Sequence, residues 1–112
     1  MKTGLLIIFG GIIFLITSCS YDKEVLDNCT TTPATFSAHV STIIQVRCAT
    51  QLCHDANSTN VGGPFTNYNL IKNKATQIKD AIEAGVMPQG STLSQAEIAI
   101  ISCWVQSGAP NN

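Results

Sequence analysis

From Phe36 onward, apolar side chains recur at helical spacing. Phe36, Val40, Ile43, Ile44 and Arg47 fall at i, i+4, i+7, i+8 and i+11, an apolar stripe closed by a base. Thr35 or Ser37 stands where a cap is wanted, and the helix delivers Cys48 at its C-terminal end. Ile71, Ala75, Ile78 and Ile82 repeat the spacing i, i+4, i+7, i+11, and Gly85 takes the place of a C-cap glycine. A third helix is announced by Ser94-Gln95-Ala96-Glu97, a capping box, with Leu93 and Ile98 placed as its hydrophobic staple. Ile98, Ile101 and Val105 form its inner face with Trp104 on the flank, and Gly108 and Pro110 stop it. No stretch alternates apolar and polar residues long enough to argue for a strand. The pattern predicts an all-α domain of about three helices.

The N-terminal apolar run has a different character. Lys2 precedes Leu5 to Ile16, interrupted only by Gly10 and Gly11, and Thr17-Ser18-Cys19 follows. A bilayer-spanning helix needs about 20 apolar residues, so this shorter run reads as a cleaved leader. Ile16-Thr17-Ser18-Cys19 resembles a bacterial lipobox, which implies that residues 1–18 are a lipoprotein signal peptide and that Cys19 is acylated as the new N-terminus. An ordinary signal peptide ahead of a coincidental cysteine is the other reading, and both send the chain out of the cytoplasm. Residues 19–34 are polar and read as a flexible tether, leaving residues 35–112 as one folded domain.

Charge narrows the partners. The chain carries six basic and seven acidic residues, and loss of Lys2 leaves 5 − 7 = −2. No basic stripe or patch suggests nucleic acid. A domain this small, with few aromatic residues, buries a modest core and commonly relies on a disulfide, metal or cofactor.

The candidate chemistry lies in Cys48-Ala49-Thr50-Gln51-Leu52-Cys53-His54 and in Met87, the one methionine left after the leader. Two thiols beside a histidine can hold a haem covalently with the histidine on its iron, and a distant methionine can fill the sixth position. Met87-Pro88 reads as a loop, because a residue before proline avoids helical geometry. Gly62-Gly63-Pro64 reads either as a turn or as a close backbone approach to the haem edge.

Five cysteines must be allotted. With Cys19 on lipid and Cys48 and Cys53 on haem, Cys29 and Cys103 remain and can pair, tying the segment after the anchor to the last helix. The competing allotment joins Cys48 to Cys53 and dispenses with haem; parity does not separate the two. Zinc held by Cys48, Cys53, His54 and His39 lacks the two separated ligand pairs of a structural site. A thiol-disulfide oxidoreductase would want two residues between its cysteines beside a strand-helix unit. His39 lies off the apolar stripe, reads as a solvated histidine, and is the main rival to Met87 as a distal ligand.

The order of Cys48, Cys53-His54, Gly62-Gly63-Pro64, Met87-Pro88, Leu93-Ser94 with Glu97, Trp104 and Gly108-Ala109 resembles the small cytochrome c domains of bacterial envelope lipoproteins, over about Phe36 to Ala109. The resemblance implies a helical class I cytochrome c fold around one haem c. It implies Cys48 and Cys53 as attachment sites, His54 as proximal ligand and Met87 as distal ligand. The family's usual motif has two residues between the cysteines where this chain has four, so single and double attachment both stay open. The function expected is membrane-anchored electron transfer to redox proteins of the cell envelope, without catalysis. The alternatives are a haem-free, disulfide-stapled lipoprotein that binds or supports something else, and a five-coordinate haem enzyme such as a peroxidase.

Overall fold

A computed structural model describes residues 28–112. The apolar leader, Cys19 and the first part of the expected tether lie outside the described residues.

The first stripe forms one continuous helical rod with an unexpected beginning. Phe36–Val40 is a π-helical turn, in which the Val40 N–H reaches the Thr35 carbonyl, and it runs directly into α1, Ser41–Arg47. Neither expected cap is used. Thr35 Oγ1 and His39 Nδ1 share a hydrogen bond of 2.9 Å, while Asn112 takes over the rod's orphan donors. Its side-chain oxygen accepts from the Phe36 N–H and its backbone oxygen from the Ser37 N–H, each at 2.8 Å. The far end of the chain therefore caps the first helix.

The second stripe, expected as one helix, is two. α2 spans Tyr68–Asn73, capped by the Asn67 side chain, which accepts from the Leu70 N–H. α3 spans Ala75–Glu83. Lys74 separates them with φ −115° and ψ 9°. The Ile78 N–H still bonds the Lys74 carbonyl, so the break does not disturb the side-chain phase. Ile71, Ala75, Ile78 and Ile82 all reach the core. Gly85 follows α3 at φ +70°, the left-handed geometry expected of a glycine after a helix.

α4, Gln95–Gln106, has the expected start: the Glu97 N–H donates to Ser94 Oγ, and the Ser94 N–H donates to Glu97 Oε2. Its inner face differs from the expected one. Trp104 is 0% exposed, and Val105, expected inside, is only half-buried. The chain after Gly108 folds back over Trp104, whose indole N–H donates to the Pro110 carbonyl at 2.8 Å. A buried indole keeps its partner this way.

α4 is the central element, packed between α3 and the π-turn. Phe36 meets Tyr68 edge-on at 5.0 Å and Trp104 at 5.5 Å, where the rod begins. Arg47 Nε donates to Glu97 Oε1 at 3.0 Å, where the rod ends. The rod and α4 therefore run antiparallel. On α4's other side, buried Ser102 donates its hydroxyl to Glu83 Oε1 at 2.7 Å, and Lys79 donates to Glu83 Oε2 at 2.8 Å. The expected disulfide is present, joining Cys29 to Cys103 across 74 residues with their Cα atoms 5.3 Å apart. Among the described residues the fold is all-α, with four α-helices and no strand, and no helix is long and apolar enough to cross a membrane.

Candidate functional site

α1 leads straight into the site. Its last carbonyls are consumed as it unwinds: the N–H groups of Cys48 and Ala49 both bond the Ile44 carbonyl, at 2.9 and 2.8 Å. The chain then makes a closed excursion, in which the Cys53 N–H bonds the Thr50 carbonyl and the His54 N–H returns to the Cys48 carbonyl at 3.0 Å. The four residues between the cysteines bulge outward, with Leu52 at φ +67°. Asn60 braces the bulge, its Nδ2 donating to the carbonyls of Leu52 and Cys53 at 3.0 and 2.7 Å, and Ser58 Oγ adds a further bond to Cys53. Cys48 and His54 are thus brought together despite the long spacer.

The imidazole of His54 is held at two points, and the residue stacked on it is braced in turn. Its Nδ1 lies 2.8 Å from the Gly63 carbonyl; a carbonyl only accepts, so Nδ1 carries the proton. Its face stacks on Phe65 at 4.2 Å with 18° between the planes. The Phe65 N–H bonds the His54 carbonyl at 2.9 Å, and Gln45 Nε2 on α1 donates to the Phe65 carbonyl at 3.1 Å. Gly62 makes the turn that brings Gly63 there, at φ +100°, where a side chain would be strained.

Nε2 is left with its lone pair. His54 is 8% exposed, yet no buried side-chain nitrogen or oxygen among the described residues lacks a partner. Nε2 makes no hydrogen bond, so the remaining exposure includes it. An imidazole whose Nδ1–H is fixed by a carbonyl keeps Nε2 as the nitrogen with which histidine serves as a metal ligand.

Cys48 and Cys53 are both free thiols, so the disulfide of the competing allotment is not formed. Cys53 is exposed, whereas Cys48 lies in the apolar cluster with Ile44 and Phe65. Burial, with a smaller contribution from Cys53, pushes the Cys48 thiol up to about 11. Met87 stands apart on the segment between α3 and α4, half-buried and outside the buried core, its N–H directed to the Ala81 carbonyl at 3.3 Å. His39 sits in the π-turn, 48 − 39 = 9 residues before Cys48, or about 13 Å along the helix axis. It is held to Thr35 at the opposite end of the rod from His54. Among the described residues no three His, Cys, Asp or Glu side chains converge as a metal-ion site; haem iron asks the protein only for axial ligands.

Phe65, Asn60 and the Gly63 carbonyl escape a reading of the sequence as site residues. The Gly62-Gly63-Pro64 run signals a special backbone there, and nothing in the sequence marks Phe65. No family model, curated protein or solved structure matches the chain.

Proposed function

We propose that this chain is a monohaem c-type cytochrome, lipid-anchored in a bacterial envelope and serving as an electron carrier between redox proteins. The observation that carries the reading is the state of His54. Its ring is fixed through Nδ1 on the Gly63 carbonyl and stacked on Phe65, Nε2 makes no hydrogen bond, and the loop ending in it bears two free thiols.

The donor set fits the group. Cys48 and Cys53 are the thiols available for thioether bonds, His54 is the proximal ligand and Met87 the distal one. A bound haem supplies an iron that cycles between ferric and ferrous, and His/Met ligation raises its potential. The chain's own residues do the remaining work. Gly63 holds the proton on Nδ1 and so leaves Nε2 as the ligating nitrogen. Phe65 keeps the imidazole plane from turning, and the braced bulge sets the distance between the two attachment points. His54 and Met87 would together ligate the iron of a bound haem, a donor set suited to electron carriage. The haem-free alternative with two disulfides finds no support in the free Cys48 and Cys53 thiols.

The test is intact mass and a reduced-minus-oxidised spectrum of the mature protein made in a periplasm with haem-attachment machinery. A mass raised by one haem that survives denaturation, with a c-type spectrum, is expected. An unmodified, colourless protein would sink the reading.

A further inference from the structure

Residues 63–65 supply both groups that fix the His54 ring, the Gly63 carbonyl on Nδ1 and the Phe65 ring on its face. That segment is entered through a pair of left-handed glycines, Gly62 at φ +100° and Gly63 at φ +75°, closed by one bond from the Gly63 N–H to the Asn60 carbonyl. Glycine leaves a turn more backbone freedom than any other residue. A segment hung from such a turn needs a second point of attachment to stay against the histidine.

The second point lies on α1. Gln45 stands in that helix's final turn, on its exposed side, where an amide ordinarily bonds to water. Its Nε2 donates instead to the Phe65 carbonyl at 3.1 Å. The Phe65 N–H donates to the His54 carbonyl at 2.9 Å, and the His54 N–H donates at 3.0 Å to the carbonyl of Cys48, which caps α1. Three hydrogen bonds thus close a circuit from α1 through His54 and Phe65 back to α1. Two of them join backbone groups, which any sequence would supply. The third depends on the side chain at position 45.

We infer that Gln45 is a positioning residue for His54: its amide pins residues 63–65 to α1 and so sets the tautomer and plane in which the imidazole offers Nε2. It acts through Phe65 and Gly63. What His54 ligates rests on the haem reading above, whereas how the ring is held does not.

The experiment reads the His54 ring by nitrogen-15 NMR in the full mature chain made without haem, at about pH 8, where an ordinary histidine is neutral. The Nδ1 and Nε2 shifts give the tautomer, and solvent exchange of the Nδ1 proton gives the tightness of its bond to Gly63. The parent ring is expected to be a single Nδ1–H tautomer. Gln45→Glu keeps the stem and the helix propensity but has no donor. Both it and Gln45→Ala should quicken exchange of the Nδ1 proton by roughly fivefold, the effect of one ordinary hydrogen bond on an equilibrium. Gln45→Lys keeps a donor and should restore the parent value. The Trp104 indole proton, bonded to Pro110 at the other end of the rod, is the control and should not change. The same Nδ1 proton is read in the ferrous haem-loaded chain, so a variant that folds only with haem is still scored.

Glutamate and alanine variants with the parent's ring state and exchange would overturn the inference, as would a lysine variant that fails with them. So would a Trp104 proton that quickens in step with His54, since that reports general loosening. Each of these results leaves the haem reading standing. A parent chain that stays colourless and of unmodified mass in a periplasm with haem-attachment machinery overturns the haem reading and with it the ligand role of His54. The ring measurement on haem-free protein still decides whether Gln45 positions it, so the two failures are told apart.

Discussion

Because the Nδ1–H of His54 is committed to the Gly63 carbonyl, replacing the histidine removes the one nitrogen donor presented by this loop. His54→Ala is expected to abolish normal axial ligation, read as loss of the six-coordinate spectrum. Met87→Ala should lower the reduction potential and admit added imidazole or cyanide to the iron. An unchanged potential and spectrum would remove Met87 from the iron. The Cys48 thiol offers a test in haem-free protein. Its pKa is raised in the fold from 9.0 to about 11, first by burial, so the folded state holds that proton more tightly than the unfolded chain. The resulting stabilisation is full below about pH 9 and is lost as pH rises toward 11. Thermal unfolding of the haem-free protein from pH 8 to 11 should show that decline, and Cys48→Ser should flatten it.

At the scale of elements, the best-read features are those whose physics is local. The capping box of α4 needs only Ser94, Glu97 and the peptide groups between them, and both its bonds form. Ser94→Ala should cost about 1 kcal/mol, measurable by urea denaturation. The Glu97 carboxyl is held below its ordinary range, first by its hydrogen bond with Arg47 and next by the Ser94 N–H. Its contribution is therefore present above the usual carboxylate range and fades as pH falls through the depressed value. Features set by distant contacts were not legible. The break at Lys74 leaves the apolar phase intact, so periodicity carries straight through it. Periodicity puts Trp104 on the flank because the tail that covers it, running through Pro110, lies beyond the helix and has no periodic signature. His54 itself was legible from its neighbours, but its orientation depends on Phe65, eleven residues on, and on one backbone carbonyl.

Among the described residues one long-range connection is covalent, the Cys29–Cys103 disulfide. Closing a loop of 74 residues removes enough unfolded-chain entropy to contribute about 3 to 4 kcal/mol. Cys103→Ser, or reduction, should lower the unfolding free energy by roughly that amount, checked by urea melts with and without reductant. A much smaller change would mean that the buried cluster alone keeps residues 28–35 against α4.

The antiparallel rod and α4 give the domain two ends of different use. Cys29, Cys103 and Asn112 gather where the rod begins, while Cys48 and His54 lie beyond Arg47, where it finishes. The N-terminal segment joins the domain at the first end. A surface that grips the protein ahead of Cys29, whether bead, electrode or bilayer, holds it by the end remote from His54. Immobilised in that way, the domain would stand on its disulfide and turn the Cys48–His54 loop toward the solution.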